Sequence, residues 1–227
     1  MADNKQIKDG LGNIFTIRMR DISSALDGTV QRSMILSTPY PLDYGNSGFY
    51  QFCAKSGVML AAAPANSPIL SFRWFSGTAF AVINRVRLWA WSNTAFGAGV
   101  STFDIYAARA FTGADTGENS ANLVGDSNQL RTTMGASGAS IVYSNTVPIT
   151  PGTRILDAAP LDSSTVQAPT TANTMFSNMP MTLFEKREGD HPLVLAFNEG
   201  FVVRTTMASL GAWNFSMTLE WAEMPTY

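Results

Sequence analysis

From Trp213 to Trp221 the chain alternates without a break. Trp213, Phe215, Met217, Leu219 and Trp221 are large and apolar, and Asn214, Ser216, Thr218 and Glu220 between them are polar. Successive side chains of a β-strand point to opposite faces, so this run predicts a strand with one buried face and one wet face. A helix would scatter the same residues around its circumference. The end of the chain is thereby committed to a sheet with a second layer packed on its apolar side.

Other segments share the pattern. Residues 14–20 read as a strand with Phe15, Ile17 and Met19 on one face, preceded by turn chemistry at Asp9, Gly10, Gly12 and Asn13. Residues 33–36 extend or pair with it, and 40–48 are a loop rich in Pro and Gly. Residues 49–60, with Cys53 and Met59, read equally as a strand or a helical turn. Strands are predicted at 69–75, 79–91, 102–110, 139–143 and 154–156, and a closing set at 192–197, 201–206 and 211–223. In the longest, 79–91, one face carries Phe80, Val82, Val86, Leu88 and Ala90, broken by Asn84, and the other mixes Ile83, Trp89 and Trp91 with Arg85 and Arg87. The polar stretch 84–87 marks a candidate bulge. Residues 111–140 are polar and Gly-rich, with room for a short helix within 120–134. Residues 160–180, rich in Ser, Thr, Ala and Pro, read as a long loop that is functional or packed on a partner.

This makes roughly eight to ten strands, no long helix and no internal repeat. The expected fold is all-β: a two-sheet antiparallel sandwich of jelly-roll type with long loops and an extended N-terminal arm. The arm and first strand occupy 1–48 and the sandwich domain 49–227.

The chain's 227 residues are 45% hydrophobic but only 14% charged, where a globular domain usually carries about 25% charged residues. Ser, Thr, Asn, Gly and Ala replace the missing charge. Such a surface suits packing against neighbours, because desolvating a hydroxyl or amide costs less than desolvating a charge. An ordinary β protein with neutral loops is the competing explanation. The net charge of −2 provides no electrostatic footprint for nucleic acid. The sole cysteine, Cys53, excludes an intrachain disulfide framework and Cys-based zinc ribbons. The polar N-terminus lacks the apolar core of a signal peptide, and no apolar run reaches the ~20 residues of a membrane helix. The expectation is synthesis in the cytoplasm, with any extracellular life reached by assembly or lysis. The sequon Asn214-Phe215-Ser216 lies inside a predicted strand and reads as chance.

The chemistry-bearing residues do not assemble into a motif. His191, the only histidine, sits in a charged turn before a strand, and no nucleophile elbow accompanies it. Asp115 and Glu118 could offer oxygens to Ca²⁺ but lack its ligand spacing; a solvated turn is the better reading. Asp104, Glu199, Glu220 and Glu223 are formal candidates for a carboxylate pair, with nothing to distinguish them from strand and turn residues. Glu185, Lys186, Arg187 and Glu188 read as a hydrated strand end. Trp74, Trp89, Trp91, Trp213 and Trp221 sit at strand periodicity and read as core before sugar platform, Trp91 being the most ambiguous. Arg73, Arg85, Arg87 and Arg204 lie inside strands, to pair across a subunit boundary or to line a wet face. No phosphate-binding Gly loop is present. No catalytic, cofactor-binding or metal-binding residue is assigned, no cofactor is expected, and the chain is expected not to be an enzyme.

Four segments carry a resemblance. Residues 7–18 (Ile-Lys-Asp-Gly-Leu-Gly-Asn-Ile-Phe-Thr-Ile-Arg) resemble a segment near the start of structural proteins of tailed bacteriophages. Residues 189–204 and 211–221 resemble the end of phage and prophage virion-associated proteins, and Leu130-Arg-Thr-Thr-Met-Gly135 is similar to that group. Together they cover about a quarter of the chain and contain no catalytic motif. The resemblance implies a β-rich virion component: a homo-oligomer contacting other virion proteins, the major capsid protein or tail proteins, with no specific nucleic acid and no membrane. A head decoration or cement protein is the first expectation. The alternative is a tail or fibre module that binds a host receptor or glycan, with Trp91, Tyr44 or Tyr50 stacking on sugar.

Overall fold

The computed structural model describes residues 3–8, 14–19, 48–61, 63–121, 123, 128–130, 135–187 and 191–225. It divides into two compact units, Met1–Pro41 and Leu42–Tyr227. In the first, β1 (Asp3–Lys8) and β2 (Ile14–Met19) form an antiparallel pair from Asp3↔Met19 to Lys8↔Ile14. The turn at 9–13 and the expected strand at 33–36 lie outside the described residues.

The second unit is a β-sandwich. Its strands are β3 (Phe49–Lys55), β4 (Met59–Leu60), β5 (Ser67–Trp74), β6 (Phe80–Thr94), β7 (Val100–Arg109), β8 (Asn119–Ser120), β9 (Ala139–Tyr143), β10 (Ile155–Leu156), β11 (Asp162–Gln167), β12 (Met181–Glu185), β13 (Leu193–Leu195), β14 (Glu199–Thr206) and β15 (Ala212–Met224). No helix occurs among the described residues. One sheet has seven strands in the order β10-β7-β14-β5-β9-β8, with β11 also on β7. The other has six, in the order β12-β6-β15-β3, with β13 on β6 and β4 on β15. Every pairing is antiparallel.

The core lies between the sheets and is built by the predicted alternation. Trp213, Phe215, Met217, Leu219 and Trp221 of β15 are all buried. Facing them from the other sheet are Leu70, Phe72, Phe103, Ile105, Phe201 and Val203. Phe72 stacks on Phe201 at 5.2 Å and meets Trp221 edge-on at 5.3 Å, while Phe103 meets Trp213 edge-on at 5.8 Å. Rings of this size dominate core energetics, each burial being worth about 1.5–3 kcal/mol.

The bulge falls where the polar stretch of β6 suggested. Glu220 lies opposite Arg85 but Trp221 opposite Ile83, so Asn84 is the extra residue. A one-residue slip inverts the faces of a strand. That is why Ile83 joins the core with Val86, Leu88 and Ala90, contrary to an unbroken alternation. A second slip leaves Asn93 extra between Ser92 and Thr94.

Three segments were less legible. Residues 49–60 resolve as β3 and β4 rather than a helical turn. The supposed loop 160–180 contains β11, an edge strand on β7. The described part of 120–134 holds no helix, and the rest of that expectation lies outside the described residues.

Candidate functional site

The sandwich has two outer faces, and they differ. On the seven-stranded sheet, Ala108 of β7 and Val202 of β14 point away from the core, yet both are fully buried. Phe111 covers them, with Leu156 packed alongside. Gly200 allows that approach: a Cβ there would strike the Phe72 carbonyl oxygen and come within 2.9 Å of the Phe111 ring. The chain after β7 and the chain before β10 hold each other over this face through Thr116 N–H to Thr150 O (3.0 Å), Thr150 N–H to Thr116 O (2.7 Å) and Gly113 N–H to Thr153 O (3.2 Å).

Asp115 ties these segments together. Its carboxylate accepts from Gly152 N–H at 2.7 Å and from Arg154 Nε at 2.8 and 3.1 Å. The side chains are 0% and 4% exposed, so this is a buried ion pair and not a solvated turn. Burial lowers the guanidinium's pKa and Asp115 opposes that shift. Arg154 also lies 5.6 Å from the Phe111 ring centre, and Arg73 lies 6.0 Å from it. Arg73 donates to Thr112 O and Asn198 Oδ1. Arg204 rests over Tyr106 at 5.4 Å and donates to Asn66 O.

The outer face of the six-stranded sheet is open as far as the described residues go. Arg85, Arg87, Trp89 and Trp91 line β6 there, opposite Glu220, Thr218, Ser216 and Asn214 of β15, with Gln51, Cys53 and Lys55 of β3 beyond. Arg85 Nη2 reaches Glu220 at 2.5 Å and its Nη1 lies 3.7 Å from Glu185, while Arg87 Nη2 is 3.8 Å from Glu220. Exposed Cys53 has its Sγ 3.3 Å from Ser216 Oγ. Met175 forms a bridge with Trp91 and leads to exposed Met179.

The five tryptophans split in two. Trp74, Trp213 and Trp221 are core. Trp74 Nε1 donates to Ala79 O and Trp221 Nε1 to Glu223 Oε1. Trp89 and Trp91 are half-buried on the open face. Tyr50 is fully buried, stacked on Trp221 at 5.5 Å, and its hydroxyl donates to Gly135 O. Burial first, and the nearby Glu223 second, push its pKa up to about 12. It therefore offers no ring to an external ligand. Tyr44 lies outside the described residues.

The carboxylates do not pair. Asp104 accepts from the Ser163 hydroxyl. Glu199 accepts from Arg109 at 2.8 Å. Glu220 belongs to the arginine cluster of the open face. Glu223 is buried and accepts from Ser137 Oγ (2.5 Å), Gly138 N–H (3.2 Å) and Trp221 Nε1. Burial raises its pKa, against the pull of these donors. Exposed Glu118 clamps the 144–147 turn through Thr146 N–H, the Thr146 hydroxyl (2.6 Å) and Val147 N–H (3.1 Å), which lower its pKa. His191 is exposed, its Nδ1 2.7 Å from Pro192 O. Among the described residues no group of three or more His, Cys, Asp or Glu could hold a metal ion, and no helix is long and apolar enough to cross a membrane.

Comparison with protein-family models, with characterised proteins and with solved structures found no match. The open face and the buried Asp115–Arg154 pair are the features that sequence reasoning missed. Alternation marks Trp89 and Trp91 as outward in hindsight, once Asn84 is read as the slip.

Proposed function

We propose that this chain is a non-enzymatic structural component of a tailed-phage virion, a head decoration or cement protein working through subunit contacts. The observation that carries the reading is where the resembling segments fall. Those at 189–204 and 211–221 become β13, β14 and β15, and β14 and β15 run through the centre of the two sheets. The resemblance therefore rests on the strands that organise the sandwich.

The strand order supports a jelly-roll reading. The main strands run β3-β15-β6-β12 in one sheet and β5-β14-β7-β11 in the other. The two last strands thus enter the middle of sheets laid down by earlier ones, as in two interlocked Greek keys. Viral capsid proteins and lectins both use that arrangement, and a fold alone does not choose between them. Weighing toward a mechanical role, Asp104, Glu199, Glu220 and Glu223 are each engaged by a different structural partner.

The second reading, a receptor-binding tail or fibre module, loses Tyr50 to the core but keeps the half-buried Trp91. Cryo-electron microscopy of the intact particle separates the two. Density spread over the capsid lattice is the expected outcome; density confined to the tail tip or fibres selects the second reading. Particles that lack the chain overturn both.

A further inference from the structure

We propose that the open face of the six-stranded sheet binds a neutral saccharide, with Trp89 and Trp91 as its stacking platform. This deepens the receptor-binding reading by giving it a site and a ligand class, yet it is tested on the purified chain, independently of where the chain sits on a particle.

Trp89 and Trp91 alternate along one strand, so they emerge on the same side about 7 Å apart. Neither indole stacks on another ring, and neither Nε1–H has a hydrogen-bond partner, although both side chains are half-buried. In the core, Trp74 and Trp221 satisfy their N–H groups, while that of Trp213 is enclosed without a partner. A large ring whose polar handle is left over suits contact with something outside the fold.

The surrounding polar groups point the same way. Asn214 lies opposite Trp91, and Asn93 is the extra residue at the nearby slip. The Oδ1 atoms of both are enclosed and unpartnered. An enclosed acceptor without a donor is costly, and native proteins usually answer it from the protein or from ordered water. Unpartnered indole N–H donors, the amide of Asn214, the hydroxyls of Ser216 and Thr218 and two aromatic faces thus occur together. A sugar ring matches that set, since it presents an apolar C–H face and hydroxyls that both donate and accept.

Charge argues for a neutral sugar. Arg85 and Arg87 are turned to Glu220, and Arg85 also to Glu185. With the guanidinium charges answered within the sheet, an anionic ligand has little to gain here. A neutral polyol sheds its water cheaply against such a surface.

The test applies the full chain to an array of neutral and acidic oligosaccharides, then titrates the best neutral ligand by tryptophan fluorescence and calorimetry. The expected result is a neutral oligosaccharide hit, with binding weakened at least tenfold in Trp91→Ala and in Trp89→Ala. Asn214→Ala, which leaves both rings in place, is expected to weaken it severalfold and serves if the tryptophan variants do not fold. Absence of any neutral hit overturns the proposal, as does binding unchanged in the folded variants. A change of oligomeric state in Trp89→Ala without saccharide binding also overturns it and assigns the face to protein contact.

Discussion

The two outer faces of the sandwich start from similar strand patterns and end differently. On the seven-stranded sheet, the chain folds back over Ala108 and Val202, seals them beneath Phe111 and fastens the cover with the Asp115–Arg154 pair. On the six-stranded sheet, Trp89 and Trp91 stand among Asn, Ser and Thr with no cover from the described residues, and the charges meet in partly exposed pairs. Side-chain alternation says which residues leave the core. It does not say whether the far side meets water, the chain's own loops or a partner. Small residues decide it here: Ala108 and Gly200 admit a ring, which Trp89 and Arg87 would keep out.

The sharpest way to break this contrast is to remove one acidic group from each face. Asp115→Ala leaves the Arg154 guanidinium buried and unpaired, and urea unfolding should show a loss of about 3–5 kcal/mol. Glu220→Ala should cost less, about 1.5–3 kcal/mol, because its partners Arg85 and Arg87 remain about one-third exposed to water. Equal losses would mean that the covered face is not sealed from water.

The next largest effect concerns the cover itself. Phe111→Ala should destabilise by about 3–4 kcal/mol, because Ala108 and Val202 lose their lid and Arg73 and Arg154 the ring between them. Trp89→Ala should cost less, about 1–2 kcal/mol, since that ring is only half-buried and stacks on no other ring.

Glu223 tests the end of the open sheet. Burial raises its folded pKa, so the folded state holds the proton more tightly than the unfolded one. Its contribution is therefore fully present below the ordinary carboxylate range and is lost as pH rises through the raised value. Glu223→Gln keeps an acceptor for Ser137 and removes that loss. Thermal melts should show the variant more stable near neutral pH, with the gap closing on acidification. A gap that widens in acid would reverse the assigned direction.

The smallest effect is expected at Arg87. Arg87→Ala should stay within about 0.5 kcal/mol, and raising the salt concentration should erase even that, because the pair is partly exposed. The Asp115–Arg154 pair should resist the same salt.

The residues that could be read in advance share one property: their placement follows from local period. The β15 tryptophans and the inward face of β7 obey the two-residue alternation of a strand, which holds wherever one face is buried, and the polar break in β6 shows as its interruption. Cys53 and Met59 were ambiguous because Phe49 to Leu60 lacks a clean period. The strand at Asp162–Gln167 was hidden because only Thr165 and Val166 favour a strand, and an edge strand needs few such residues.

The sequence by itself determined that this chain makes a sheet sandwich with an apolar interior and little surface charge, because those properties follow from composition and from the alternation of side chains. Only the tertiary structure decided that Asp115 is buried against Arg154, that Tyr50 belongs to the core, and that Trp89 and Trp91 remain on an open face. Each of those outcomes depends on partners far away along the chain. Asp115 meets Arg154, and Tyr50 meets Trp221, only after the strands have paired.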